Sequence, residues 1–206
     1  MGMDKTNAVE FEKIAREVFA PAYRVIAQQI KNETKIVEGK CLEIGTGIGY
    51  LGLALAEITD LQFTLYDIST EMLAYADQNI IDRNLQTRVQ TQKGDVHSIS
   101  LPDQSIDLVI SRGSVFFWED QEKAFEEIYR ILAPGGMTFI GGGFGTKEIL
   151  DQIGRSMDSK WHAKLEERIG DTSAHNFKKV LKQTNIKDYE INQSDAGLWI
   201  KMRRAK

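Results

Sequence analysis

The sequence has a single cysteine, and that scarcity excludes a good deal. Cys41 alone cannot form an intramolecular disulfide, a cysteine-clustered zinc site or a mechanism that needs several thiols. It stands beside Leu42 in an apolar run, where a small buried residue is expected rather than a nucleophile. Histidine is nearly as scarce: His97, His162 and His175 have no metal-binding spacing, and each reads as a loop or surface residue, so no metal site is expected. No apolar run approaches membrane-spanning length, and no apolar leader accompanies the charged Asp4-Lys5, so a cytoplasmic protein without membrane contact is expected. Charge of one sign is lacking too. A net charge of -4 supplies no basic field for nucleic acid, and no basic groove with aromatic platforms is visible.

What is present is organised around Lys40-Cys41-Leu42-Glu43-Ile44-Gly45-Thr46-Gly47-Ile48-Gly49. An apolar run ends in closely spaced glycines, and a helical pattern follows through Leu51, Leu55 and Ile58, which reads as strand, turn and helix. Glycines at such a turn let the backbone bend sharply and come within contact distance of a ligand. The dinucleotide pattern G-x-G-x-x-G needs a third glycine where Tyr50 stands, and no Gly-Lys-Ser/Thr follows for a P-loop. Glu43, Asp67 and Asp95 each close a candidate strand and should gather at one carboxyl edge. Three acids there repel a pyrophosphate and suit a ligand with hydroxyls, an amine and positive charge. S-adenosylmethionine, a sulfonium with an ammonium group and no phosphate, fits that description. Asp67 lies 20 residues after Gly47, where an acid at the end of a second strand can accept both ribose hydroxyls.

The stretch from Glu43 to Gly49 resembles motif I of the class I S-adenosylmethionine-dependent methyltransferases. The likeness continues in order through Tyr66-Asp67-Ile68-Ser69 with Met72-Leu73, Gly94-Asp95-Val96, Leu101-Pro102-Asp103 before Ile106-Asp107-Leu108-Val109, and Ile131-Leu132-Ala133-Pro134-Gly135-Gly136. That order is similar to the small-molecule branch of the ubiquinone and menaquinone type, over residues 38–142. The resemblance implies a Rossmann-like, doubly wound α/β sheet of seven mostly parallel strands, with an antiparallel C-terminal hairpin and an N-terminal helical flap. It implies S-adenosyl-L-methionine as cofactor, bound through Glu43, Gly45, Thr46, Gly47, Gly49, Asp67, Ile68, Met72, Gly94, Asp95, Val96 and Ser111. In it Ile68 flanks the adenine, Asp95 accepts from the adenine amino group, and Ser111 lies near the sulfonium.

One domain is expected, with a helical lid at 4–35, the core at 38–142, a helical insertion at 143–185 and terminal strands at 186–206. In the lid, apolar residues including Val9, Phe11, Ile14, Val18 and Ile26 recur at helical spacing, with Pro21 dividing or kinking the helix. Phe19 and Tyr23 are candidate lid contacts whose simpler role is core packing. Strands are expected at 40–44, 62–66, 89–92, 106–110, 137–140, 189–193 and 198–202, and helices at 49–59, 69–82 and 120–132. After the fourth strand come Ser111-Arg112-Gly113-Ser114 and then Phe116-Phe117-Trp118. The Asn/Asp-Pro-Pro-Tyr of amino-group methylators of nucleobases and glutamine is absent there. Arg112, Phe116, Trp118 and Phe144 are candidate lid or acceptor contacts, and Phe117 is expected to pack. Residues 141–145, Gly-Gly-Gly-Phe-Gly, read as a loose loop that could hinge the insertion as an acceptor wall.

Methyl transfer is an in-line displacement that needs alignment and exclusion of water more than a dedicated base. No catalytic residue is singled out. The expected partner is a small-molecule acceptor, and the expected state is monomer or homodimer. Two alternatives stand beside methyl transfer: a non-catalytic S-adenosylmethionine-binding protein, and an NAD-dependent oxidoreductase.

Overall fold

The structure is a computed structural model that describes residues 12–206, so the Val9 and Phe11 positions of the expected lid lie outside the described residues. A π-helical turn, Ala15–Phe19, runs into helix α1, Ala20–Thr34, without a break. Pro21 falls just after the π-helical turn, so the helix stays continuous and its departure from α-geometry lies where proline removes an N–H. The chain continues through β1 (Lys40–Ile44), α2 (Tyr50–Ala56), β2 (Gln62–Asp67), α3 (Thr70–Asp82), β3 (Val89–Lys93) and β4 (Ile106–Arg112). A short 3-10 turn, Ser114–Phe117, leads to α4 (Gln121–Ile131) and β5 (Leu132–Gly143). Three helices follow, α5 (Lys147–Gly154), α6 (Ser159–Ile169) and α7 (Asp171–Gln183), and then β6 (Tyr189–Ser194) and β7 (Gly197–Met202).

The seven strands order as β3-β2-β1-β4-β5-β7-β6. β1 to β5 are parallel, and β7 runs antiparallel between β5 and β6, as the resemblance implies. The central strands β1 and β4 are buried along nearly their whole length, because helices cover both faces. One core packs Ile26 and Ile30 of α1, Leu53 and Leu55 of α2 and Ala76 and Ile80 of α3 against the sheet. The other packs Phe125 and Ile128 of α4 and Phe177 and Leu181 of α7 against the opposite face. Helix starts are fixed locally. Ser69 Oγ accepts the Met72 N–H at 3.2 Å, and Asp120 Oδ1 accepts the Lys123 N–H at 3.0 Å.

The expected loose loop at 141–145 is corrected. Residues 141–143 are the end of β5 and pair with Trp199, Leu198 and Gly197 of β7. The glycines are there for close approach: a Cβ on Gly141 would fall 2.0 Å from the Leu198 carbonyl oxygen. Only Gly145, at φ +84°, takes a left-handed turn, just before Thr146 caps α5.

Candidate functional site

Strand order reverses between β1 and β4, and the glycine turn after β1 lies at that switch point, where open α/β sheets bind ligands. Gly45, Gly47 and Gly49 all have positive φ, and the turn is tied down from several sides. The Gly45 N–H donates to the Tyr66 carbonyl at 2.8 Å, and Asn79 Nδ2 donates to the Ile48 carbonyl at 2.9 Å. Glu43 Oε2 accepts the Thr46 hydroxyl at 2.6 Å and the Gly52 N–H at 3.0 Å. Glu43 is only 3% exposed. Burial pushes its carboxyl up to about 7, against the opposing pull of those two hydrogen bonds. Glu43 and Thr46 therefore shape the turn from within.

Asp67 sits at the end of β2, across from the turn. Its Oδ2 accepts the Gly47 N–H at 2.8 Å, and its Oδ1 accepts the Ser69 N–H at 2.9 Å. Each oxygen retains a further lone pair, so a diol can still be received. Burial raises the Asp67 carboxyl, with the backbone donors of Ser69 and Gly47 opposing. Beside it Ile68 is 58% exposed, an apolar side chain held at the open edge. Met72, by contrast, is buried in the core beneath the start of α3.

Asp95 follows β3. A backbone N–H from His97, 2.9 Å from Oδ1, holds its carboxyl below the ordinary range. His97 Nδ1 also meets that oxygen at 2.6 Å, and its Nε2 accepts the Asp120 N–H at 3.3 Å. That pairing fixes the proton on Nδ1. His97 is thus a strut between the β3 loop and the cap of α4 rather than the solvated loop residue expected from sequence. Asp95 Oδ2 stays free of those contacts, and Val96 is buried beside it. Gly94 is glycine for a local reason, since a Cβ there would lie 1.9 Å from the Tyr66 hydroxyl.

The candidate contacts after β4 divide between two places. Arg112 turns under α1: its Cζ lies 5.3 Å from the Phe19 ring centroid, 5.1 Å from Tyr23 and 4.8 Å from Phe144. Its Nε donates to the Gly143 carbonyl at 2.8 Å. Phe19, Tyr23, Arg112 and Phe144, spread over 126 positions of sequence, form one aromatic box around a cation. Trp118 instead packs edge-on to Phe125 at 5.7 Å, in the core beneath α4. Phe116 faces Phe177 and a separate groove of about 360 Å³ with Lys164, Arg168 and Asn176. Phe117, expected to pack, is 68% exposed with the Arg168 guanidinium 4.6 Å above its ring. Its place in a 3-10 turn points it outward while Val115 takes the core position. Ser111 is fully buried and its hydroxyl pairs with Ser114 Oγ at 2.7 Å.

Two residues of this neighbourhood escaped the sequence reading. Ser114 Oγ donates to the Ile44 carbonyl at 3.1 Å and buttresses the glycine turn. Trp161 of α6 packs edge-on against Phe144 at 5.6 Å and closes the outside of the box. Neither has a motif of its own, and only the fold brings them near β1 and β4. Among the described residues no cluster of His, Cys, Asp and Glu could hold a metal ion.

A family described as a methyltransferase domain matches residues 42–140. The chain is 34% identical over 122 residues to a demethylmenaquinone methyltransferase of Chlorobaculum parvum, covering 57% of this chain and 47% of that protein. The chain thus spans about half the length of that relative. It is 31% identical over 129 residues to the uncharacterized methyltransferase YdaC of Bacillus subtilis, covering 62% of this chain and 69% of that protein. Among solved structures, one from Methanococcus maripaludis, described as a proposed S-adenosyl-L-methionine-dependent methyltransferase, superposes with a TM-score of 0.96. It is 43% identical, and the match covers 98% of this chain and 94% of that one.

Proposed function

Because the chain belongs to the class I S-adenosylmethionine-dependent methyltransferases, we propose that it binds S-adenosyl-L-methionine at the glycine turn and methylates a small-molecule acceptor. The observation that carries this reading is the ring of acids around the turn: Glu43 under it, Asp67 across it and Asp95 beyond it. That donor set fits a cationic nucleoside with a free diol and disfavours a dinucleotide. An NAD-dependent oxidoreductase is accordingly not favoured, and the likeness to methyltransferases weighs against a non-catalytic binder.

In this reading the bound cofactor supplies an electrophilic methyl on a sulfonium. The remaining work belongs to the chain. Asp67 receives the ribose hydroxyls through the lone pairs its backbone donors leave open. Ile68 covers one face of the adenine, and Asp95 Oδ2 with the Val96 backbone takes its polar edge. Glu43 and Thr46 hold Gly45 to Gly49 in shape, and Ser111 does so through Ser114. The aromatic box of Phe19, Tyr23 and Phe144 excludes water from the transfer path. Residues 143–185 form the acceptor wall, with Gln29 Nε2 tying α1 to it through the Gly145 carbonyl at 2.8 Å. Phe116 and Trp118 are left to packing.

Among the described residues no helix is long and apolar enough to cross a membrane, and we place the protein in the cytoplasm as a monomer or homodimer. Calorimetric titration with S-adenosylmethionine, S-adenosylhomocysteine and NADH in parallel tests the cofactor. Micromolar binding of the first two and none of NADH is expected, with Asp67→Ala weakening the first two about tenfold or more, the worth of charge-assisted hydrogen bonds. Binding of NADH alone, or unchanged affinity in Asp67→Ala, would remove the assignment.

A further inference from the structure

We infer that the acceptor carries a planar anionic oxygen group, such as a carboxylate, and that Arg112 and Tyr23 receive it. The inference rests on methyl transfer taking place beside the glycine turn, under α1. A guanidinium has five N–H donors in a rigid fork. Arg112 uses Nε on the Gly143 carbonyl, and neither Nη meets an acceptor among the described residues. The Tyr23 hydroxyl is likewise without a hydrogen-bond partner there, although Tyr23 is only 7% exposed. These donors still touch solvent and are committed to no acceptor of the protein, so they stand available at the rim of the aromatic box for a ligand that supplies one.

The surroundings specify what that ligand is. Phe19, Tyr23 and Phe144 stack around the guanidinium and keep its fork from swinging to another partner. No carboxylate makes an ion pair with Arg112 among the described residues. The nearby Glu43 spends its Oε2 on Thr46 and Gly52. An uncompensated cation in an aromatic box attracts a flat anion, which can accept from both Nη groups and from the phenol at once. It repels an ammonium acceptor. The anchoring of Arg112 on β5 favours an anion of the acceptor over the cofactor's own carboxylate, and the decarboxylated analogue below separates the two. Arg112 is anchored on the Gly143 carbonyl at the end of β5 and lies against Phe144, which Trp161 backs, so its fork stands on the side of residues 143–185, while Glu43 beneath the glycine turn is close enough to feel its charge.

Benzoate and its uncharged counterpart benzamide are the probes, titrated into the protein saturated with S-adenosylhomocysteine. The Arg112 Nε–H resonance reports contact in 15N-arginine-labelled protein, assigned by its loss in Arg112→Met. Benzoate should bind at least about tenfold more tightly than benzamide, as a charge-assisted pair implies, and should move that resonance. In Arg112→Met the two probes should come within about twofold of each other, and Tyr23→Phe should weaken benzoate about tenfold, the worth of one hydrogen bond to a charged acceptor. S-adenosylhomocysteine affinity is the check on folding and should stay within about threefold in both variants. Equal binding of benzoate and benzamide to the wild type overturns the inference. So does a loss of S-adenosylhomocysteine affinity in Arg112→Met that spares its decarboxylated analogue, because the anion would then be the cofactor's. If the wild type binds no S-adenosylhomocysteine, the methyl-transfer reading fails instead, and benzoate titration of the free protein still decides whether Arg112 receives an anion.

Discussion

Ser114 stands directly against Gly45: a Cβ on Gly45 would lie 2.2 Å from the Ser114 Cβ and 2.5 Å from its hydroxyl. The 3-10 turn after β4 and the glycine turn after β1 therefore interlock, with the Ser114 hydroxyl bonded to the Ile44 carbonyl at 3.1 Å. Gly45 also has a φ of +64°.

Two separate penalties meet in Gly45→Ala. The left-handed backbone costs about 1–2 kcal/mol for a residue with a Cβ. Crowding against Ser114 adds about 1–3 kcal/mol. Ser114→Gly in the same chain relieves the second penalty and leaves the first. Urea unfolding of both single variants and the double variant should show a double variant more stable than additivity allows. Additive losses would show that the two turns do not interlock.

Glu43 gives stability a pH dependence of unusual sign. Its carboxyl titrates near 7 in the folded protein and near 4.5 when unfolded. Between those values the folded state holds the extra proton, so the contribution is complete below about 4.5 and is lost as pH rises through 7. A shift of that size corresponds to about 3 kcal/mol. Asp67, also raised by burial, acts in the same direction. Glu43→Gln keeps an acceptor for Thr46 and Gly52 but cannot titrate. The melting temperature of the wild type should fall from pH 5 to pH 8 more steeply than that of Glu43→Gln. Parallel profiles would mean that Glu43 is ionised throughout.

Local pattern made much of this architecture legible. The glycine turn, the acids that close β1 and β2, and the Ser69 cap are each written within a few consecutive residues, and the strand–helix alternation follows from apolar periodicity. The aromatic box is not local. Phe19 and Tyr23 read as helix-face residues, Phe144 as part of a loop, and nothing in the order of residues says that Arg112 will join them. The run 141–143 misled for a related reason. Three glycines look like slack when the chain is read alone, and only the close approach of β7 turns them into a requirement of the sheet. Phe117 shows the limit of periodicity in a 3-10 turn, where a shift of one residue decides between core and solvent.

Arg130 of α4 holds the loop that follows β3. Its Nε and Nη2 fork onto Glu127 at 2.9 Å each, while Nη1 reaches Asp103 at 2.6 Å and the Leu101 carbonyl at 3.0 Å, and Nη2 reaches the Ile99 carbonyl at 2.8 Å. Glu127 in turn accepts the Ile99 N–H at 2.9 Å. Arg130→Met should cost about 2 kcal/mol, in the range for hydrogen bonds involving charged groups at a partly exposed site. Arg130→Lys should recover little of it, because an ammonium cannot reproduce the fork. Amide exchange at 97–103 should accelerate in both variants. Unchanged exchange would show that the loop is held by Val96 and Ile99 packing alone.

Gly141 tests whether the end of β5 is structural or a hinge. A Cβ there would fall 2.0 Å from the Leu198 carbonyl oxygen and 3.0 Å from the Trp199 Cα, both backbone atoms that cannot move without parting β5 from β7. Gly141→Ala should therefore destabilise by about 2 kcal/mol or more, as overpacking against a rigid neighbour does. Gly145 is different. Its Cβ would press on the Val25 side chain at 2.6 Å, and its φ of +84° makes any side chain strained, so Gly145→Ala should disturb the junction of α1 with the start of α5. If residues 141–143 belong to the sheet, Gly141→Ala lowers the melting temperature and speeds amide exchange along β7, while S-adenosylhomocysteine binds the folded fraction normally. A Gly141→Ala protein of full stability would mean that these glycines serve motion after all.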